Sequence, residues 1–582
     1  MKFKAKQFYR IAFWISFFGL ITVISDFGYT QTAFYQKFID GFYFFVLAVG
    51  LISTFARDIQ RFTLIKRKVF IFDLLSIGFT LWIFHMYLFV GVPFDTDLLL
   101  ENPLWVKIAV ILAFVREFAE LRINFNRTLL NPAQIFILSF LVIIFIGSFL
   151  LVLPNATYDG ISYLDALFTS TSAVCVTGLI VVDTATHFTL FGQTIIMILI
   201  QLGGLGILTF ASYFSYFFKG GTTYENQFAL SDMTNSRKLG EVFSTLKYII
   251  LITFGIELFS GLFIYSSIDP GSFDTQSEKL FFSAFHAVSA FCNAGFSTLS
   301  SNIYETGFRF NYYLQSVVIL TFVLGGLGFP IVVNILNYLK YSVSNLLSFS
   351  SGKNRHRPWV LSLNSRINLI TTMSISLVAF IAFYFLEYNN TLAEHNSFGK
   401  IVTALFGATT PRTAGFNTVD TAAMAFPTLM MVMLLMWIGA SPQSTGGGIK
   451  TSTFAIALLN ILSLARGKSR IEIFRREIAD VSVRRAFAII FLSFVVIALA
   501  ITLISIFDPG KKLVDIAFEC FSAYGTVGLS LGITGDLSSA SKFVIIVVMF
   551  VGRVSTLSLF IALFRKLKHE NYSYPKEEII IN

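Results

Sequence analysis

Apolar runs of about 20 residues, the length an α-helix needs to cross the hydrocarbon core of a bilayer, dominate this chain. They recur from near residue 11 to residue 564 with only short polar or basic segments between them, so no large soluble domain fits. Four runs come first, near 11–30, 38–57, 69–91 and 104–122. After them one longer unit repeats: a leading helix, a short apolar segment, a glycine loop and a trailing helix. The leading helices are expected near 133–154, 243–267, 367–387 and 486–507, and the trailing helices near 191–218, 311–339, 425–459 and 541–566. Between them lie 162–173, 281–291, 401–410 and 515–523, each about ten residues and too short to span. These segments are expected to be re-entrant helices that enter from one side and stop inside the membrane.

The loops that follow share one design. They read Val176-Thr177-Gly178, Asn293-Ala294-Gly295, Thr413-Ala414-Gly415 and Thr526-Val527-Gly528, with 117, 120 and 113 residues between successive glycines. An even internal period of this kind marks a repeat architecture. One such loop alone reads as an ordinary tight turn; four of them can close a ring. Glycine suits a loop that aims successive carbonyl oxygens at one axis, because the torsions required oppose a Cβ. Carbonyls so aimed can replace the hydration shell of a cation. A short helix ending at that depth also directs the negative end of its dipole there. The expected fold class is therefore an all-α membrane protein with four pseudo-symmetric helix–pore loop–helix repeats around one ion pore, preceded by about four extra transmembrane helices. The expected divisions are an N-terminal extension at 1–128, then repeats at 129–222, 223–345, 346–465 and 466–582.

Composition and charge agree. Hydrophobic residues make up 55% of the 582, and charged residues only 13%, which excludes an ordinary soluble protein. The net charge of +10 does not indicate nucleic acid, because Lys and Arg crowd into 57–68, 116–127, 340–366, 466–485 and 565–568 while intervening segments carry acids. The positive-inside bias makes those loops and both termini cytoplasmic, so the glycine loops face outward. The basic N-terminus lacks a small-residue cleavage site and is not expected to be a cleaved signal.

The segments Thr169 to Leu179, Phe291 to Ser297, Thr410 to Thr418 and Ala523 to Leu529 resemble the four pore loops of the bacterial TrkH/KtrB potassium-uptake family, relatives of fungal Trk and plant HKT transporters. The likeness covers roughly residues 130–570 and all four repeats in order. It implies a potassium-permeable subunit in the plasma (inner) membrane, with potassium held by the twelve loop residues named above and no organic cofactor. It also implies a homodimer gated by a separate cytosolic ring of nucleotide-binding regulatory subunits. Relatives with serine in the first loop tend to favour sodium; glycine at all four positions here favours potassium. The unequal residues before each glycine predict some sodium or rubidium leak.

The third trailing segment contains Gly439 to Gly448 (GASPQSTGGG), too rich in helix breakers for a regular helix. It reads as a flexible plug below the loops or as a kinked helix. The resemblance makes it an intramembrane gate containing Gly446, Gly447 and Gly448. Arg553, near the middle of the last trailing helix, is costly at that depth and marks an ion path or a paired interior site. The resemblance places it against the gate, so removing it should ease permeation. Lys450 either adds to this barrier or reaches the cytoplasm. Gly203-Gly204-Leu205-Gly206 and Gly325-Gly326-Leu327-Gly328 are expected to serve close helix packing. Arg412 is expected behind the third loop, in a structural role.

Cys175, Cys292 and Cys520 have no metal-type spacing, the six histidines are scattered, and no phosphate-binding motif occurs, so no enzyme chemistry is expected. Parallel repeats favour a pore over an alternating-access carrier, whose repeats are commonly inverted. A sodium-coupled or sodium-permeable symporter of the same superfamily is the alternative. The basic segment 465–485 is a docking surface for a regulator or for anionic lipids. For residues 1–128 a scaffold or dimerisation role is expected over voltage sensing, because arginines at every third position are missing.

Overall fold

A computed structural model of the chain describes residues 2–61, 67–87, 104–120, 132–206, 242–269, 271–348 and 362–563. Parts of the basic segments at 57–68, 116–127 and 340–366, all of 565–568, and residues 207–218 of the first trailing helix lie outside that range. The described chain is almost wholly helical. Helices α1 (Lys2–Gly28), α2 (Ala33–Arg61), α3 (Arg67–His85) and α4 (Leu104–Glu120) form an N-terminal bundle. Its core joins Val23, Tyr43, Val46, Leu47, Ile83 and Val110.

The repeating unit then appears four times. The leading helices are α5 (Pro132–Leu151), α8 (Val242–Ser267), α12 (Leu363–Glu387) and α16 (Asp480–Phe507). The short helices are α6 (Tyr163–Cys175), α9 (Gln276–Cys292), α13 (Ser397–Thr409) and α17 (Leu513–Gly525). At 13, 17, 13 and 13 residues they exceed the expected ten: α9, α13 and α17 begin before their apolar stretches, and α6 and α17 run two residues further at the C-terminal end. Polar N-caps set those starts: Ser162, Thr275 and Asn396 accept from the backbone N–H of Asp165, Glu278 and Gly399.

The trailing helices depart from expectation. A single interruption is expected, in the third, yet the second, third and fourth are broken, and the first ends at Gly206 within its described residues. α7 (Leu190–Leu205) ends at Gly206, with φ 76°. α10 (Tyr312–Leu327) and α11 (Phe329–Ser348) meet at Gly328, φ 86°, and the pair is bent by 107° between Tyr312–Leu327 and Phe329–Lys340. α14 (Phe426–Trp437) gives way to an irregular stretch before α15 (Thr451–Ala465). α18 (Ser539–Val554) and α19 (Thr556–Leu563) are divided by Ser555, φ 75°. The glycine clusters do pack closely: a methyl group on Gly203 would collide with the Val174 carbonyl, and one on Gly325 with that of Phe291. The same stretches also stop the helix, the second role that their sequence did not separate from the first.

Five described helices are long and apolar enough to cross a membrane, and the bent α10–α11 pair makes a sixth. Their outward faces carry exposed apolar side chains such as Phe259, Met373, Phe385 and Phe491, which lipid would solvate. Between α15 and α16 sits a small antiparallel hairpin, Glu472–Ile473 with Arg476–Glu477. Phe474 and Arg475 at its tip have φ 50° and 60°, the geometry of a tight two-residue turn.

Candidate functional site

Each glycine loop adopts the same backbone figure, directly at the end of α6, α9 and α17 and four residues beyond α13. The residue two before the loop glycine is left-handed, with φ 58° at Val176, 61° at Asn293, 77° at Thr413 and 50° at Thr526. The glycine is left-handed too, with φ 87°, 69°, 76° and 95° at Gly178, Gly295, Gly415 and Gly528. Alternating the sign of φ along three residues turns successive carbonyls towards one side, as a cation-coordinating strand requires. Only glycine adopts the third position without steric cost.

The four loops close on one another in cyclic order. A methyl group on Gly178 would collide with the Ala294 carbonyl oxygen, and one on Gly295 would lie 3.0 Å from that of Ala414 and 2.9 Å from the Cα of Gly415. A methyl on Gly415 would collide with the Val527 oxygen, and one on Gly528 with that of Thr177, which returns to the first loop. All four glycines line one cavity of about 390 Å³, together with Asp183 and Asp420. Two carboxylates in its lining favour cations.

Hydroxyl side chains near the ends of the short helices hold the loops. Ser172 Oγ accepts from Gly178 N at 3.0 Å and Ser522 Oγ from Gly528 N at 3.1 Å. Ser289 Oγ donates to Phe296 O at 2.7 Å and Thr410 Oγ1 to Phe416 O at 2.5 Å. Sequence reasoning missed these four residues. Their signal was present: a hydroxyl residue lies six positions before three of the glycines and five before Gly415, where Pro411 shifts the register. The ring is not fourfold identical, since Asn302 Nδ2 donates to Gly295 O at 3.1 Å.

Directly beneath lies the irregular segment of the third repeat, residues 438–450, which is a loop and not a kinked helix. Gly447 N donates to Thr526 Oγ1 at 2.9 Å, and Thr445 Oγ1 lies 3.0 Å from Asn293 Oδ1. Side chains on Gly446 or Gly447 would strike Thr413 and Thr526. The segment therefore fills the space under three of the four loops. Arg553 donates to Thr445 O through Nη1 and to Gly203 O at 2.5 Å through Nη2, pinning the segment to the first trailing helix. Lys450 Nζ donates to Gly446 O at 2.6 Å, so its side chain folds back on this segment.

Arg412 sits behind the third loop. Its guanidinium donates to Ser376 Oγ at 3.3 Å and to Thr372 O at 3.4 Å, and no bond to Asp420 is present. The three cysteines are free and buried, and among the described residues no cluster of His, Cys, Asp and Glu could hold a metal ion.

A family model described as "TrkH: Cation transport protein" matches residues 105–574. The chain belongs to the TrkH family of cation transport proteins. Among its relatives, the Ktr system potassium uptake protein B of Bacillus subtilis is 37% identical over 451 residues, covering 77% of this chain and 96% of that one. The potassium/sodium uptake protein NtpJ of Enterococcus hirae is 35% identical over 463 residues, covering 78% and 98%. The fold is that of the potassium transporter TrkH from Vibrio parahaemolyticus, whose crystal structure covers 84% of this chain with a TM-score of 0.59 at 18% identity. This TrkH-family chain is thus a multi-pass membrane transport protein.

Proposed function

We propose that the chain is the ion-translocating subunit of a potassium-uptake system. The observation that carries this reading is the cyclic closure of four carbonyl loops, Gly178 to Gly295 to Gly415 to Gly528, on one cavity. In this reading the backbone oxygens of Val176–Gly178, Asn293–Gly295, Thr413–Gly415 and Thr526–Gly528 dehydrate potassium, and the membrane potential drives it inward. The loop containing Gly446, Gly447 and Gly448 is the gate, latched by Arg553 and Lys450.

The repeat boundaries at 129, 223, 346 and 466 delimit the four pore units. Plasma-membrane insertion with both termini cytoplasmic puts the cavity outside and the hairpin at 472–477 inside. Exposed Arg475 and Arg476 on that hairpin, with Arg470 just before it, then offer a docking face for a cytosolic nucleotide-binding regulatory ring or for anionic lipid headgroups. A homodimer follows from the resemblance.

A second reading, a sodium-permeable or sodium-coupled transporter, draws support from the unequal ring. The Asn302 bond to Gly295 O and the four different loop sequences leave the site less regular than four identical strands. Proteoliposomes with opposed potassium and sodium gradients decide between them. Potassium flux well above sodium flux is expected for the unmodified chain, and several-fold faster flux for Arg553→Ala. Equal fluxes, or potassium flux that requires sodium, would favour the second reading; Arg553→Ala flux no higher than that of the unmodified chain would remove the latch.

A further inference from the structure

Two of the four loops carry a clamp that the other two lack. In the second repeat His286, nine residues before Gly295 on α9, meets Ser297, two residues after it, Nε2 to Oγ at 2.9 Å. In the fourth repeat Glu519 stands nine residues before Gly528 on α17 and meets Ser530, two residues after it. His286 and Glu519 are at most 1% exposed. The matching positions hold Thr169 and Ile180 in the first repeat, where Thr169 bonds back to Asp165 O, and Phe406 and Asn417 in the third, where Phe406 has no polar atom. Because the loops close in cyclic order, the second and fourth are not neighbours, and the two clamps face each other across the ring.

The direction of each bond fixes what the serines offer. The nitrogens of His286 meet only Phe282 O, 2.9 Å from Nδ1, and Ser297. An imidazolium buried without a carboxylate is costly, so the ring is neutral. A carbonyl only accepts, which puts the ring proton on Nδ1 and makes Nε2 the acceptor of the Ser297 hydrogen. Ser530 donates to the Glu519 carboxylate, which also takes the hydrogen of Thr534 Oγ1 at 3.1 Å. Each serine oxygen then accepts the backbone N–H two residues on, Leu299 N at 3.0 Å and Gly532 N at 2.9 Å. Each is left with one free lone pair and no hydrogen to offer.

Both serines line the cavity that the four glycines share. The other two loops supply carboxylates to it: Asp183 and Asp420 each stand five residues past their glycine, and among the described residues neither is in an ion pair. Thr184, 2% exposed, lines it as well, and its hydroxyl has no partner among the described residues. The lining comprises the glycines and residues that follow them, whereas Thr445 and Gly447 meet Asn293 and Thr526, two residues before their glycines. The cavity therefore lies on the face of the ring away from the irregular segment.

We propose that this cavity is a second cation site, separate from the carbonyl ring, in which Ser297 and Ser530 from one pair of opposite loops and Asp183 and Asp420 from the other hold an alkali cation before it enters the ring. All four are oxygen groups with a lone pair to give, which suits a hard cation. A volume of about 390 Å³ is room for on the order of ten waters, so the ion keeps part of its hydration shell there. Glu519 and His286 are positioning residues: they do not touch the ion but turn the serine hydrogens away from it. The order of events, cavity first and ring second, rests on the potassium-uptake reading; the existence of the site does not.

Uptake into proteoliposomes containing the full chain, measured against external potassium, tests the capture step. In the Ser297→Ala, Ser530→Ala double variant the KM for potassium is expected to rise roughly five- to tenfold while maximal flux is largely kept. An unchanged KM, or a fall in maximal flux at unchanged KM, overturns capture by the serines. Crystals of the unmodified chain grown with rubidium as the sole alkali cation test the site without any substitution. Anomalous density is expected in the cavity between Ser297 and Ser530 as well as in the ring. Density in the ring alone, or in the cavity only when strontium replaces rubidium, overturns the site. Rubidium in the cavity of a chain that carries no potassium flux supports the site and overturns the transport reading instead.

Discussion

The ring of loops and the N-terminal bundle both place polar groups deep in the membrane, and they solve that problem in opposite ways. In the ring the polar groups are backbone carbonyls, and their order comes from torsion signs repeated in four loops. In the bundle they are ionised side chains, matched pair by pair across helices: Arg57 with Glu117, Lys107 with Asp26 and Arg116 with Asp73. Backbone groups are neutral, so they can be left facing a cavity for an ion to use. Buried charges must find partners at once, because an unmatched one costs several kcal/mol.

The comparison can be broken most forcefully in the bundle. Arg116→Gln leaves Asp73 charged and unpaired, and a loss of about 3–5 kcal/mol is expected. Thermal unfolding in detergent should show it, with most of the loss recovered in the Arg116→Gln, Asp73→Asn double variant. In the ring, Gly415→Ala adds a methyl group against the Val527 carbonyl at a φ of 76°. Strain of roughly 1–3 kcal/mol should lower potassium flux on the order of ten- to a hundredfold while the unfolding temperature changes less. Unchanged flux in that variant would mean that the ring does not conduct.

Ser522→Ala sharpens the comparison at smaller scale. It removes the hydroxyl that accepts from Gly528 N, at a cost of about 1–3 kcal/mol confined to one loop. Reduced potassium preference over sodium is the expected readout, with total flux largely kept. The smallest effect is expected outside both devices, at His395, buried in the turn before α13, whose imidazole lies 3.2 Å from the Tyr312 hydroxyl. Burial holds its pKa below the ordinary 6.5. The unfolded chain therefore takes up that proton first, and stability is lost as pH falls below about 6.5. Unfolding temperatures of the chain and of His395→Gln at pH 7.5 and pH 5.5 should diverge by this contribution.

Residue order alone made the four repeats, the loop glycines and the irregular segment of the third repeat legible, because spacing and helix-breaking composition are local properties. Val176 to Gly178 and Gly446 to Gly448 were found that way. The hydroxyl supports Ser172, Ser289, Thr410 and Ser522 were not, because serine and threonine are common on buried helices and only the loop they bond distinguishes them. Ser555 escaped for a related reason, since nothing in its own identity calls for a left-handed backbone.

What the sequence by itself determined is which segments lie in the membrane and where the backbone must bend, since transfer into hydrocarbon and torsional preference act residue by residue. Which groups meet was decided by the tertiary structure alone. The closure of Gly528 on Thr177, the latch from Arg553 to Thr445 and Gly203, and the pairing of Arg116 with Asp73 join residues from 43 to 351 positions apart. Hydrogen bonds and ion pairs act over about 3 Å, so only the packing of the helices can bring such partners within reach.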